Sequence, residues 1–149
     1  MRVLIVKYAN EPRESILQTH DGEQVDALPA LELQDVECLV NDTIDVVAVD
    51  EGQFYEDLVE FCERWANEGK VVLVAALDGT YERKPFQNVS RLLSQADSVT
   101  KLQAICFKCQ GNASFTARIS GERGDVLLGG EEKYAACCSK CWMAANNVK

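Results

Sequence analysis

The sequence predicts an α/β domain with a parallel sheet, followed by a small, β-rich module. Three observations carry that reading. Two short, wholly apolar runs, VVAV at 46–49 and VVLVAAL at 71–77, flank a helical pattern at 55–68. That is the signature of a strand–helix–strand unit with a right-handed crossover, its strands buried on both faces. Beyond residue 105 the texture changes to cysteine pairs, short alternating segments and a glycine-bearing loop.

RVLIV at 2–6 predicts the first strand, and KYANEPRES after it a polar loop broken by Pro12. Residues 26–43, centred on LPALELQDVECLV, predict a short helix or strand. The strand at 46–49 ends in Asp50-Glu51. From 55 to 68, Leu58, Val59, Phe61, Cys62, Trp65 and Ala66 recur at helical spacing on one face. Gly69 stands where a left-handed residue closes a helix. The second buried strand, 71–77, stops at Asp78-Gly79. NVSRLLSQAD at 88–97 predicts a short helix, and VTKLQAI at 99–105 a third strand running into Cys106. ASFTARI and DVLLGG predict short strands beyond it. The expected domains are therefore 1–105 and 106–149.

A chain of 149 residues, 47% apolar and 26% charged, is globular and of one-domain size, with room for a small appendage. Its net charge of −9 argues against nonspecific binding to nucleic acid or to an anionic membrane surface, which rests on clustered Lys and Arg. No apolar run approaches the ~18 residues of a membrane helix. MRVLIVKY is too short in apolar residues for a secretory signal, so a cytoplasmic location is expected. Seven cysteines, an odd count in such a chain, point to metal ligands and free thiols more than to disulfides.

Cys106-Phe-Lys-Cys109 and Cys138-Ser-Lys-Cys141 form two C-x-x-C pairs with 28 residues between them. One such knuckle brings two thiolates to one ion, and two knuckles make a closed tetrahedral Zn²⁺ site, structural because no position stays open. The long insert predicts a protruding loop pinned at its base. Cys137 is adjacent, but only Cys138 keeps the two-residue spacing. Cys38 and Cys62 are expected to be buried thiols. His20, the single histidine, is expected at the surface.

Asp50 and Glu51 end a buried strand, where parallel sheets bind ligands and where a carboxylate commonly serves Mg²⁺ and phosphate. Read alone, the pair equally suits the start of a helix, where acidic side chains meet a favourable dipole. Phe54, Tyr81 and Phe86 all follow strand ends. Their spacing fits a sandwich around a flat ring and fits core packing equally.

DEGQF at 50–54, VAALDGTYERKPF at 74–86 and the two C-x-x-C pairs enclosing LLGGEEKY at 127–134 closely resemble type II thymidine kinases. These are the zinc-containing, tetrameric kinases of animals, many bacteria and poxviruses. The resemblance runs over nearly the whole chain, including KYA at 7–9, THD at 19–21 and ALP at 27–29. It implies a P-loop-kinase-like parallel sheet with helices and a small zinc and lasso domain. It also implies transfer of the ATP γ-phosphate to the 5′-hydroxyl of thymidine, a step of deoxynucleoside salvage. Glu51 matches the general base, and Asp50 matches the Mg²⁺ ligand, with Gln53, Glu11 and Arg13 beside the nucleotide. Phe54, Leu77, Tyr81 and Phe86 match residues that enclose the nucleoside. The loop between the cysteine pairs matches the lasso, placing Thr116, Asp125, Val126, Leu127, Leu128, Gly129 and Tyr134 against thymidine. Zinc at Cys106, Cys109, Cys138 and Cys141, Mg²⁺ with ATP, and a homo-oligomer are implied likewise.

One motif does not appear. The pattern G-x-x-x-x-G-K-[ST] is absent, and the only Gly-Lys pair, Gly69-Lys70, is followed by Val71. In the resembling family the P-loop strand and helix lie ahead of the strand matching RVLIVKY. The 149-residue chain is therefore expected to be inactive alone, and a silent thymidine-binding or oligomer-forming subunit is the rival reading. ANEPRES departs too, because Glu11 stands where the family has Asp while Arg13 is kept.

Overall fold

The computed structural model describes residues 1–9, 15–18, 21–118 and 134–145. They form two compact units, one of residues 1–78 and 87–96, the other of residues 79–86 and 97 onward.

The first unit is built on a four-stranded parallel sheet. Its strands are β1 (Val3–Tyr8), β4 (Leu28–Ala30), β5 (Val46–Val49) and β6 (Val71–Val74), in the order β4-β1-β5-β6. Strands β2 (Ile16–Gln18) and β3 (Gln24–Asp26) form a separate antiparallel hairpin. In register, Val3 pairs with Val46 and Val6 with Val49, while Val46 pairs with Val71 and Val49 with Val74. Val6, Val46, Val47 and Val49 are buried, which accounts for the unbroken apolar run on β5. Helix α1 (Leu58–Asn67) supplies Leu58, Val59, Phe61 and Cys62 to that core, and a 3-10 helix (Leu33–Leu39) supplies Leu33 and Val36. Each such large side chain contributes about 1.5–3 kcal/mol on burial, as an upper estimate.

Helix α1 ends as its sequence indicates. Gly69 has φ +80°, its N–H bonds to Ala66 O, and Lys70 N–H bonds to Trp65 O at 3.0 Å. That pair of bonds is the Schellman closure. Helix α2 (Gln87–Leu93) completes the unit and buries Val89. Cys38 is exposed, against expectation, because it lies on the outer side of the 3-10 helix whose buried positions are Leu33 and Val36; Cys62 is buried as expected.

In the second unit, β7 (Ala104–Ile105) pairs antiparallel with β8 (Asn112–Ala113), and β9 (Phe115–Arg118) with β10 (Tyr134–Cys137). Helix α3 (Ser139–Ala145) follows. The core is Cys106, Ala113, Ala117 and Cys137, with Cys138, Cys141 and Trp142 packed against it. The strand expected at 99–105 is realised only at Ala104–Ile105 and does not join the parallel sheet. Its alternation has no second layer to bury it, so Leu102 is 82% and Ile105 68% exposed. DVLLGG and His20 lie outside the described residues. No helix among the described residues is long and apolar enough to cross a membrane.

Candidate active site and metal centre

The parallel sheet presents its carboxyl ends together. Asp50 N–H bonds to Val6 O at 2.9 Å, and Gly52 N–H bonds to Ala75 O at 3.0 Å, so the turn after β5 is held by β1 and by the end of β6. Glu51 lies at φ 54°, ψ 40°, in the left-handed region. A side chain there costs roughly 1–2 kcal/mol, and such residues collect at functional sites. Gly52–Phe54 then form one 3-10 turn.

Gly52 is a glycine for steric reasons. A Cβ on it would stand 2.8 Å from Val74 Cγ1 and 3.3 Å from Ala76 Cβ. Gly52→Ala is expected to push the turn off β6, lowering both stability and turnover. A crystal structure of that variant with residues 50–54 unmoved would contradict the assignment.

Gln53 is 6% exposed, the single buried polar residue of the described core. Its Oε1 accepts from Leu77 N–H at 3.0 Å and its Nε2 donates to Glu51 Oε2, so one amide end is engaged beyond β6 and the other within the turn. Burial raises the Glu51 carboxyl above the ordinary carboxylate range; the Gln53 hydrogen bond opposes this, and the neighbouring Asp50 charge adds to it. Asn88 of α2 donates Nδ2 to the carbonyls of Gly52, Gln53 and Tyr55. Phe54 packs on Tyr8 with ring centroids 4.9 Å apart, and Leu77 is exposed. Glu11 and Arg13 lie outside the described residues.

In the second unit, residues 79–86 make a closed loop. Gly79 bridges Pro85, Thr80 N–H bonds to Lys84 O at 2.8 Å, and Arg83 turns the chain at φ 64°. Tyr81 meets Tyr134 of β10 with ring centroids 6.4 Å apart. The Arg118 guanidinium lies 3.7 Å over the Tyr81 ring and donates to Tyr134 Oη at 3.1 Å. Trp142 Nε1–H bonds to Tyr81 O at 2.9 Å, and Arg83 sits 4.1 Å over Phe115. Thr116 on β9 faces Ala136 in the ladder and is half-buried, as is Phe86 at the loop's end. Asp125, Val126, Leu127, Leu128 and Gly129 lie outside the described residues. Sequence reasoning passed over Asn88, Arg118 and Trp142. An Asn at a helix start and an Arg among aromatics on a short strand are weak signals that only tertiary contacts explain.

Cys106, Cys109, Cys138 and Cys141 bring their Sγ atoms within 4.8 Å of one another, and Cys109 and Cys138 approach to 3.7 Å. A tetrahedron with Zn–S of about 2.3 Å has sulfur–sulfur edges of about 3.8 Å, so the donor set can hold zinc. Backbone N–H groups of Cys138 and Cys109 lower the Cys106 thiol to about 6, favouring the thiolate that a metal needs. Cys137 instead faces the core, where burial raises its thiol to about 11, and it is not one of the four.

Comparison with known proteins agrees with this architecture. The family model described as "Thymidine kinase" matches residues 1–142. The thymidine kinase of Yaba monkey tumor virus (strain VR587) is 46% identical over 146 residues, covering 97% of this chain and 80% of that protein. That of vaccinia virus (strain Western Reserve) is 46% identical over 143 residues, 95% of this chain and 80% of its own length. That of myxoma virus (strain Lausanne) is 44% identical over 142 residues, with 95% and 79% covered. With a family match across 142 of 149 residues and relatives of this similarity, the chain belongs to the thymidine kinase family.

Proposed function

We propose that this protein transfers the γ-phosphate of ATP to the 5′-hydroxyl of thymidine, with Glu51 as general base. The observation that carries the reading is the carboxylate of Glu51, held at the carboxyl end of a parallel sheet in a left-handed turn and oriented by Gln53. The hydroxyl oxygen bonds to the γ-phosphorus, the bond to the β–γ bridging oxygen breaks, and ADP leaves. The hydroxyl proton passes to the Glu51 carboxylate. A base whose affinity for protons is raised toward neutrality serves this better than an ordinary carboxylate, provided it stays ionised at working pH. Asp50, the neighbouring carboxylate, is assigned to Mg²⁺, which when bound neutralises charge on the phosphates.

Phe54 and Leu77, and in the second unit Tyr81, Phe86, Thr116 and Tyr134, are assigned to thymidine, together with residues 125–129. Flat aromatic faces and main-chain groups suit a pyrimidine base with few charges to read. Glu11 and Arg13 are assigned to the nucleotide. The zinc centre is structural. A homo-oligomer, tetrameric as in the resembling family, and a cytoplasmic location belong to the same reading.

The test is transfer of labelled γ-phosphate to thymidine. Because the 149 residues contain no G-x-x-x-x-G-K-[ST], the chain is assayed both alone and joined behind the N-terminal segment of a poxviral relative. Turnover in the joined form supports the proposal. Thymidine binding by calorimetry with no turnover in either form would replace it with a silent binding subunit.

A further inference from the structure

The turn that carries Glu51 is tied down from outside its own strand. Asn88, in the first turn of α2, directs Nδ2 at Tyr55 O (2.7 Å), Gly52 O (3.2 Å) and Gln53 O (3.2 Å). Its Oδ1 accepts from Val89 N–H at 2.9 Å, which fixes which end of the amide faces the carbonyls. A primary amide has two N–H donors. The short bond to Tyr55 therefore takes one, and the Gly52 and Gln53 carbonyls share the other.

This contact matters because of what surrounds it. Glu51 at φ 54° is a conformation that persists only where neighbours over-determine it. The sheet constrains it on both sides, through Asp50 N–H before it and Gly52 N–H after it. On its carboxyl side the Gly52–Phe54 turn has two side chains holding it, Gln53 from within and Asn88 from α2. Gln53 reaches out of the turn to Leu77 N–H beyond β6, whereas Asn88 reaches in from α2 and is the side chain that holds the turn's own carbonyls.

We propose that Asn88 is a positioning residue for Glu51, acting beside Gln53: its amide clamps the carbonyls of Gly52, Gln53 and Tyr55 so that the Glu51 carboxylate stays aimed at the reacting hydroxyl. This rests on the reading of Glu51 as the base. Asn is the residue the position needs. Asp would turn an acceptor toward three acceptors, Ala would leave them without that donor, and Ser would keep one donor on a shorter arm.

The experiment is a double-mutant cycle on the active kinase, with kcat and KM for thymidine measured in Asn88→Ala, Glu51→Gln and the double variant. A small misplacement of a reacting group costs up to about 10²-fold, so Asn88→Ala is expected to lower kcat by about 10–100-fold with KM changed less than about threefold. In the Glu51→Gln background the same change is expected to cost less than about twofold, since there is no base left to misplace. Asn88→Ser is expected to recover part of the kcat, and it stands in if the Ala variant does not fold. Hydrogen exchange at the Phe54 and Tyr55 amides, which needs no turnover, is expected to quicken in Asn88→Ala. Equal losses of kcat in both backgrounds, or a raised KM at unchanged kcat, overturn the proposal. Full activity in Glu51→Gln alone overturns the base assignment instead, so the two failures are distinguishable.

Discussion

Replacing Glu51 by Gln is expected to lower kcat for thymidine phosphorylation by about 10²–10⁴-fold, the usual worth of a positioned general base, and to make the protein more stable. The two effects have one origin. The carboxyl sits where burial and the Asp50 charge both oppose ionisation, and only the Gln53 hydrogen bond favours it. Glutamine keeps the length and an oxygen for Gln53 to bond, but carries no charge to desolvate. The sign follows from linkage: a carboxyl whose folded pKa is raised contributes full stability below its unfolded value, and loses it as pH rises through the folded value. The gain in melting temperature of Glu51→Gln should therefore be present at neutral pH and vanish below about pH 4, where the carboxyl is protonated in both states. With Glu51 as the proposed base, the same raised pKa is expected to set the acid limb of kcat, so activity should fall with acidification earlier than an ordinary carboxylate base would give. Glu51→Gly adds a second gain by relieving the left-handed backbone at φ 54°. Discounted for glycine's greater freedom when unfolded, that relief is about 0.5–1 kcal/mol, while the base is lost as before. A Gln variant with wild-type turnover, or one whose stability advantage persists at pH 3, would contradict this account.

How much of this was legible in the sequence depends on the range of the interaction. VVAV, the apolar face of α1 and the Gly69 closure are local patterns, and they appear at Val46–Val49, Leu58–Asn67 and φ +80°. The cysteine spacing was legible for the same reason, and geometry separates Cys138, in the cluster, from Cys137, in the core. VTKLQAI misled because alternation states only that one face could be buried; whether a layer exists to bury it is a tertiary fact, and Val99, Leu102 and Ile105 are exposed. The β2–β3 pair hides in three-residue strands separated by a polar stretch of sequence, too short to register as a period. Asn88 and Trp142 act across 33 and 61 residues of sequence, on Tyr55 and Tyr81, through side chain to main-chain bonds that leave no trace in hydropathy. Asp50-Glu51 stood out by its place after a buried strand, but the roles within DEGQF came only through family resemblance, since adjacent carboxylates there suit a helix start equally.

The second large effect concerns the metal centre. Purified under reducing conditions, the protein is expected to hold one zinc per chain, and a strong chelator is expected to unfold the second unit while the parallel sheet of the first survives. Zinc sites of this kind are worth about 10–16 kcal/mol, against a total stability of about 5–15 kcal/mol for a typical domain. Among the described residues the unit's own core has little to set against that loss, because Cys106, Ala113, Ala117 and Cys137 are small and two of them are cysteines. The consequence is expected to reach, through α3, the residues proposed for thymidine. Cys141 belongs to the cysteine cluster, the next residue is Trp142, and its indole N–H holds the Tyr81 carbonyl; the Tyr81 ring in turn lies under Arg118 and beside Tyr134. Removing zinc should therefore free Tyr81 and weaken thymidine binding without touching Glu51 or its partners. Trp142 fluorescence, read in a Trp65→Phe background to silence the other indole, should shift with the metal. Cys138→Ser should lose zinc and show that shift without chelator, whereas Cys137→Ser should keep the metal and lose only packing. The opposite result for those two variants would mean that the neighbouring cysteine is the ligand, and an intact Trp142 signal after complete zinc removal would mean that α3 is held by the protein alone.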